Sequence, residues 1–183
     1  MHILYLHGLG SNGRSSTAAN LASKPNVSVA APTYQPEHFL KSVEELSDIV
    51  RRETPDVIAG TSMGGYYALK LREAFNIPTL AVNPCFDPVT HLRKYLTTPA
   101  MNYETGEPIV FTVDMVQAFE ILERQPPRPD RMVLIGLNDD VIHPDGQKAF
   151  CEGYGWAYKT VDWGHRVEDV DLLLSQILNT RNL

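Results

Sequence analysis

Six short apolar runs, separated by stretches that repeat hydrophobic residues at helical spacing, constrain this chain more than any other feature. The runs are His2–His7, Val27–Ala31, Asp56–Gly60, Pro78–Val82, Arg131–Gly136 and Ala157–Val161. Within them apolar residues follow one another almost without interruption instead of alternating with polar ones. That is the pattern of parallel strands covered on both faces. Between the runs, Phe39, Val43, Leu46 and Val50 recur at helical spacing, as do Val170, Leu173, Leu174 and Ile177. Glu168 or Asp169 stands where an acid favours the N-terminus of the last helix. The alternation predicts an α/β fold, a doubly wound and mainly parallel sheet of about six strands with right-handed crossovers. At 183 residues, 43% of them hydrophobic, the chain has the size of one domain that buries its own core.

The segment from Cys85 to Asp130 departs from this rhythm, being too long for a single crossover. It carries Pro84-Cys85-Phe86-Asp87-Pro88, then Tyr103-Glu104-Thr105-Gly106-Glu107-Pro108, a helical stretch around Val113–Glu123 and the proline run Pro126-Pro127-Arg128-Pro129. Two readings stand: a small insertion over the sheet edge that serves as a lid, or an ordinary long connection.

Chemistry enters with Gly60-Thr61-Ser62-Met63-Gly64, followed by Gly65. This G-x-S-x-G sequence lies between strand-like Asp56–Ala59 and helix-like Met63–Phe75, the strand-turn-helix setting of a nucleophile elbow. A serine there has to adopt a sparsely populated backbone conformation to project its hydroxyl above the sheet, and the flanking glycines leave room for the turn. His7-Gly8-Leu9-Gly10 ends the first strand. If the strands ending at His7 and Gly60 are neighbours, the backbone N–H groups of Leu9 and Met63 converge as an oxyanion hole. His7 itself reads as an anchor for that loop. The serine needs a base. Of six histidines, His165 in Asp162-Trp163-Gly164-His165-Arg166 follows the last strand and is best placed, with His143 second but beside Pro144 at the start of a helix. The acid follows the strand Arg131–Gly136 and is Asp139 or Asp140, which gives the order Ser, Asp, His. Met63, Tyr66, Phe86, Met101, Tyr103, Phe111 and Met115 are available to line an apolar acyl pocket, with fewer than half of them expected to do so.

Composition narrows the partners. The net charge is −6 with both signs spread along the chain, so a nucleic-acid footprint or a basic membrane patch is not expected. No apolar run approaches the roughly 18 residues that span a bilayer. The N-terminus, without a basic n-region, reads as a strand rather than a signal peptide. Cys85 and Cys151 are far apart and suit neither a disulfide framework nor a metal site, and a reduced cytoplasmic setting is expected. Neither H-E-x-x-H nor a phosphate-loop motif occurs. Gly8 to Gly13 matches G-x-G-x-x-G, but Val27–Ala31 is followed by Pro32-Thr33-Tyr34 instead of a ribose-binding acid. The expectation is an enzyme without cofactor or metal, a monomer or weak homodimer, acting on a small-molecule acyl ester or thioester. A non-catalytic binding protein on the same fold is the alternative.

Several of these pieces together resemble the YqiA-type esterases, small bacterial α/β-hydrolases. They are Tyr5-Leu6-His7-Gly8, Ser62-Met63-Gly64-Gly65-Tyr66-Tyr67, Val82-Asn83-Pro84, Tyr103-Glu104-Thr105-Gly106, Asn138-Asp139-Asp140-Val141 and Gly164-His165, in family order over nearly the whole chain. The resemblance implies esterase or thioesterase activity through Ser62, His165 and an acid at Asp139, in the bacterial cytoplasm. Arg166 departs from the small or aromatic residue commoner in relatives. It either contacts an acidic substrate group or faces solvent.

Overall fold

Each expected apolar run forms a strand, with bounds that agree to within one residue at either end. A computed structural model describes residues 1–119 and 131–181. In chain order the main elements are β1 (His2–Leu6), α1 (Ser16–Ala22), β2 (Ser28–Ala30), α2 (Phe39–Glu53), β3 (Val57–Thr61), α3 (Met63–Phe75) and β4 (Thr79–Val82). After the long connection follow β7 (Arg131–Gly136), α6 (Pro144–Tyr154), β8 (Tyr158–Val161) and α7 (Val170–Arg181). The sheet order is β2-β1-β3-β4-β7-β8, and every neighbouring pair is parallel. Strand order reverses at β1, where Leu6 pairs with Gly60, so the loops after β1 and β3 lie side by side. This is the switch point at which such sheets open a crevice above their C-terminal ends.

Alternation within the strands feeds two cores. Leu4, Leu6, Ile58 and Ala81 point to the face covered by α2, α3 and α6. Ile3, Tyr5, Val57, Ala59 and Leu80 point to the face covered by α1 and α7. Helix α2 buries Phe39, Ser42, Leu46 and Val50 and ends at Thr54 in the left-handed conformation, with Arg51 and Arg52 in its last turn, where cations suit the helix dipole. Helix α3 is buried on nearly all sides, as a helix filling the centre of one layer must be. Asp169 caps α7, its carboxylate accepting from the Leu172 N–H at 2.9 Å.

The connection after β4 has structure of its own. It contains α4 (Pro88–Leu92) with a 3₁₀ turn at Arg93–Leu96, a two-stranded antiparallel hairpin of β5 (Ala100–Met101) and β6 (Pro108–Ile109), and α5 (Val113–Gln117). The expected helix at Val113–Glu123 is thus present in its first part. It ends at Gln117, and residues 120–130, with the proline run, lie outside the described residues. The hairpin is not legible in the sequence. Each strand has only two residues, and Asn102 closes the turn by accepting from the Glu104 and Thr105 N–H groups.

Candidate active site

Ser62 sits between β3 and α3 with φ 59° and ψ −121°, a conformation disfavoured for any L-residue. Its N–H donates to the Val82 carbonyl at 2.9 Å, and its carbonyl accepts from Tyr66 and Cys85, so the strained turn is held on both sides. The turn is also crowded. A Cβ on Gly64 would run into the Leu6 carbonyl, and one on Gly60 into Gly64. Glycine at these positions lets helix α3 start directly on the sheet edge. The Met63 N–H belongs to the first turn of α3 and has no intrahelical acceptor. Leu9 lies across from it in the loop after β1, where a Cβ on Gly8 would stand 3.1 Å from that of Ser62.

His165 and Asp139 meet above the ends of β7 and β8. The His165 Nδ1 lies 2.9 and 3.0 Å from the two Asp139 oxygens. Asp139 is buried, and its Oδ1 also accepts from the Val141 and Ile142 N–H groups at 2.8 and 2.9 Å. Burial pushes the carboxyl pKa up, but hydrogen bonds from His165, Ile142 and Val141 and the nearby imidazole outweigh it and hold the group below its usual value. Asp140, by contrast, is exposed and lines the cavity mouth, so of the two aspartates it is Asp139 that meets His165. His143 is an exposed cap whose ring accepts from the Asp145 N–H at 3.3 Å.

Ser62 and His165 open into one cavity of about 750 Å³, whose wall includes Leu9, Met63, Met101, Tyr103 and Arg166. Tyr66 and Phe86 do not reach it, and the expectation that they contact substrate is corrected here. Tyr66 is fully buried among Phe39, Tyr67 and Phe119 because it leaves α3 toward the α2 side. Phe86 stacks on Phe150 at 3.9 Å beneath α6. Phe111 and Met115 also pack away from it, so Met63, Met101 and Tyr103 are the three expected pocket residues that line it. Arg166 is exposed at the cavity wall, with its guanidinium 5.4 Å from the centre of the Tyr103 ring.

Three contributions were not legible in the sequence. Asn83, fully buried and at φ 45°, ties the site together. Its Oδ1 accepts from the Gly136 N–H at 2.7 Å, and its Nδ2 donates to the carbonyls of Gly164 and His165 at 3.0 and 3.1 Å. Its signals were its place after a strand end and its part in the Val82-Asn83-Pro84 piece of the resemblance, neither of which gives a role. His91, on α4, lines the cavity, and burial, helped by the charges of Lys94 and His165, pushes its pKa down to about 4. Finally, the Tyr103 N–H donates to the Gly10 carbonyl at 2.8 Å, docking the hairpin on the loop that carries Leu9. His7 is buried and anchors that loop. Its Nε2 accepts from the Tyr34 N–H, which leaves Nδ1 to donate to the Gly8 carbonyl, and burial lowers its pKa.

A parallel sheet with this strand order, a serine in a strained turn after β3 and a histidine after the last strand define the α/β-hydrolase fold. The chain belongs to the Uncharacterised protein family (UPF0227), the YqiA family, whose model matches residues 2–180. Solved structures share the fold at low identity. The esterase domain of a Rhodothermus marinus protein has a TM-score of 0.66 at 16% identity, covering 99% of this chain and 86% of that one. A carboxylesterase of the thaumarchaeon Nitrososphaera gargenis has a TM-score of 0.66 at 12%, covering 99% and 91%. The fluorophosphonate-binding serine hydrolase F of Staphylococcus aureus has a TM-score of 0.57 at 17%, covering 100% and 84%. Among the described residues no helix is long and apolar enough to cross a membrane.

Proposed function

We propose that this chain is a serine hydrolase that cleaves acyl esters or thioesters through Ser62, His165 and Asp139. The observation that carries the reading is the joint presence, on one cavity, of Ser62 in the elbow conformation and of His165 bound through Nδ1 to a buried carboxylate. A satisfied structural histidine has no need of a strained serine beside it. With Nδ1–H engaged by Asp139, the other ring nitrogen, Nε2, is left as the base.

In the first step Ser62 Oγ attacks the acyl carbon and its proton passes to His165 Nε2. The Leu9 and Met63 N–H groups receive the oxyanion, each such donor being worth about 2.7–4 kcal/mol in acyl transfer. As the bond from acyl carbon to leaving group breaks, His165 returns the proton to the departing oxygen or sulfur. Water, deprotonated by His165, then opens the acyl-enzyme and regenerates Ser62 with release of the acid. Asp139 stays ionised and holds the imidazole tautomer. The described part of the connection after β4, residues 85–119, acts as the lid of this site, with its hairpin docked through the Tyr103 N–H on the loop that carries Leu9.

The test is labelling with a fluorophosphonate, read by peptide mass spectrometry. The wild type is expected to take one adduct on Ser62, and folded Ser62→Ala and His165→Ala variants none. A folded wild type that takes no label and hydrolyses no activated ester is a binding protein on a hydrolase fold, and the proposal falls.

A further inference from the structure

We propose that the cavity is divided into two halves and that its hydroxyl-lined half receives the alcohol part of a polyol ester, a carboxylic ester of a glycerol-like or sugar-like leaving group. The inference rests on the serine hydrolase reading above and specifies its substrate class.

The division follows from the sheet. Ser62 stands on the C-terminal edge, and the cavity wall continues into both cores. On the α2/α3 side it is formed by Met63, Leu92 and Ala100, with Leu9 and Tyr95 packed against the same cluster. That half offers hydrocarbon to an acyl chain. The α1/α7 side is different in kind. Tyr5, Ser11, Ser15, Ser16, Thr17 and Thr61 all line it, six side chains that end in a hydroxyl. Thr61 shares the face of Val57 and Ala59 and bonds the buried Tyr5 hydroxyl at 3.0 Å, which also bonds Thr17. Tyr5 is buried and Thr17 and Thr61 are half-buried, and the bonds among the three hold their hydroxyls in place at the cavity wall. This cluster lies directly beside the serine, since Thr61 precedes Ser62.

The loop of His165 borders this same half. Val167 packs on the α1/α7 core, and Arg166 and Glu168 complete the wall, with the Glu168 carboxylate accepting from the Gly164 N–H at 2.7 Å. His165 has to give its proton to the departing oxygen, so the leaving group departs beside that loop. An alkyl alcohol there would strip water from the hydroxyls and return nothing, whereas a polyol replaces those hydrogen bonds. The bonds balance as in any ester cleavage. The Ser62–acyl bond forms as the acyl–polyol C–O bond breaks, and the proton taken from Ser62 leaves on the polyol.

The wild-type enzyme is assayed by pH-stat on 1-glyceryl butyrate and on butyl butyrate, which share an acyl group. Each kcat/KM is divided by the ester's own alkaline hydrolysis rate constant. The expected ratio favours the glyceryl ester at least tenfold, and Tyr5→Phe/Thr17→Val lowers that ratio at least fivefold. Thr61→Val serves in its place if the double variant does not fold. Equal values, preference for butyl butyrate or turnover of neither, in an enzyme that labels on Ser62, overturns the inference and leaves the hydrolase reading standing. A glyceryl preference that survives the substitutions also overturns it, because the preference then arises elsewhere. Absence of both labelling and turnover overturns the two readings together.

Discussion

At the residue scale, the candidate site depends on a side chain that takes no part in the chemistry. Asn83 bonds three backbone groups, one at the end of β7 and two in the His165 loop, and it does so from the left-handed region that asparagine tolerates better than most residues. Gly136 next to it has no room for a Cβ, which would lie 2.5 Å from the Gly164 carbonyl oxygen. Together they fix where the His165 loop sits over β7. Asn83→Ala leaves the buried Gly136 N–H without its acceptor, which costs about 1–3 kcal/mol. It also frees the His165 loop, and a displacement of about 1 Å lowers turnover roughly 10²-fold. The expected outcome in p-nitrophenyl butyrate assays is a fall in kcat with KM little changed, together with a lower urea midpoint. An unchanged kcat would show that the loop holds its position without Asn83. Asn83→Asp keeps the acceptor but sets a buried carboxylate oxygen against the Gly164 and His165 carbonyls, and is expected to rescue neither stability nor turnover.

At the element scale, the docking of the hairpin on the loop after β1 is the contact with most leverage. Gly10 has φ 73°, and a Cβ there would meet the Met101 carbonyl oxygen, with the Tyr103 ring 3.2 Å away. The same glycine's carbonyl accepts from the Tyr103 N–H. Gly10→Ala is therefore expected to cost about 1–3 kcal/mol, from the left-handed backbone and from overpacking. Its larger effect falls on the site: pushing β5 away displaces the segment that carries Leu9, so kcat/KM for p-nitrophenyl butyrate is expected to drop at least tenfold. Unaltered kinetics in a destabilised variant would show that the hairpin and the loop after β1 are mechanically independent. Substitution at Gly106, whose Cβ position meets nothing within 4 Å, provides the control, since only its φ of 73° is at stake.

At the scale of the whole molecule, the two cores and the buried polar groups set how the fold responds to acid. His91 is held neutral in the fold down to about pH 4, whereas in the unfolded chain it titrates near the ordinary histidine value of about 6.5. Between those values the unfolded state binds more protons, so stability falls as pH drops from about 6.5 to 4 and changes no further below that on account of this group. Because the ring opens onto the cavity, solvent screening reduces the loss to about 1–2 kcal/mol. Asp139 acts lower on the scale. Its pKa is depressed in the fold, so its contribution is intact above the unfolded value of about 3.9 and is lost as pH falls through the folded value. Urea unfolding at stepped pH is expected to show a decline starting near pH 6.5 and continuing below 4. The upper part is expected to shrink in His91→Gln, the remainder coming from His7, whose pKa burial also lowers, and the lower part to shrink in Asp139→Asn. A wild type whose stability is flat from pH 7 to 4 would contradict the account of His91.

The sequence by itself determined the elements that depend on short-range order. Continuous apolar runs marked the six strands, helical spacing marked α2 and α7, and the glycines around Ser62 marked a turn too tight for any side chain. It also carried the candidate order Ser62, then Asp139 or Asp140, then His165, because strand ends are where loops gather. Tertiary structure alone decided what depends on approach between distant segments. That Asp139 rather than Asp140 meets His165 follows from the turn in which the Asp139 carboxylate accepts the Val141 and Ile142 N–H groups. Tyr66 and Phe86 vanish into the core because helix rotation and α6 packing, not composition, set their direction. Asn83, His91 and the two-residue hairpin strands have no local signature at all. The partners of Asn83 lie 53 to 82 residues further along the chain, and the hairpin meets the loop after β1 through the Tyr103–Gly10 bond, approaches that only the folded chain makes.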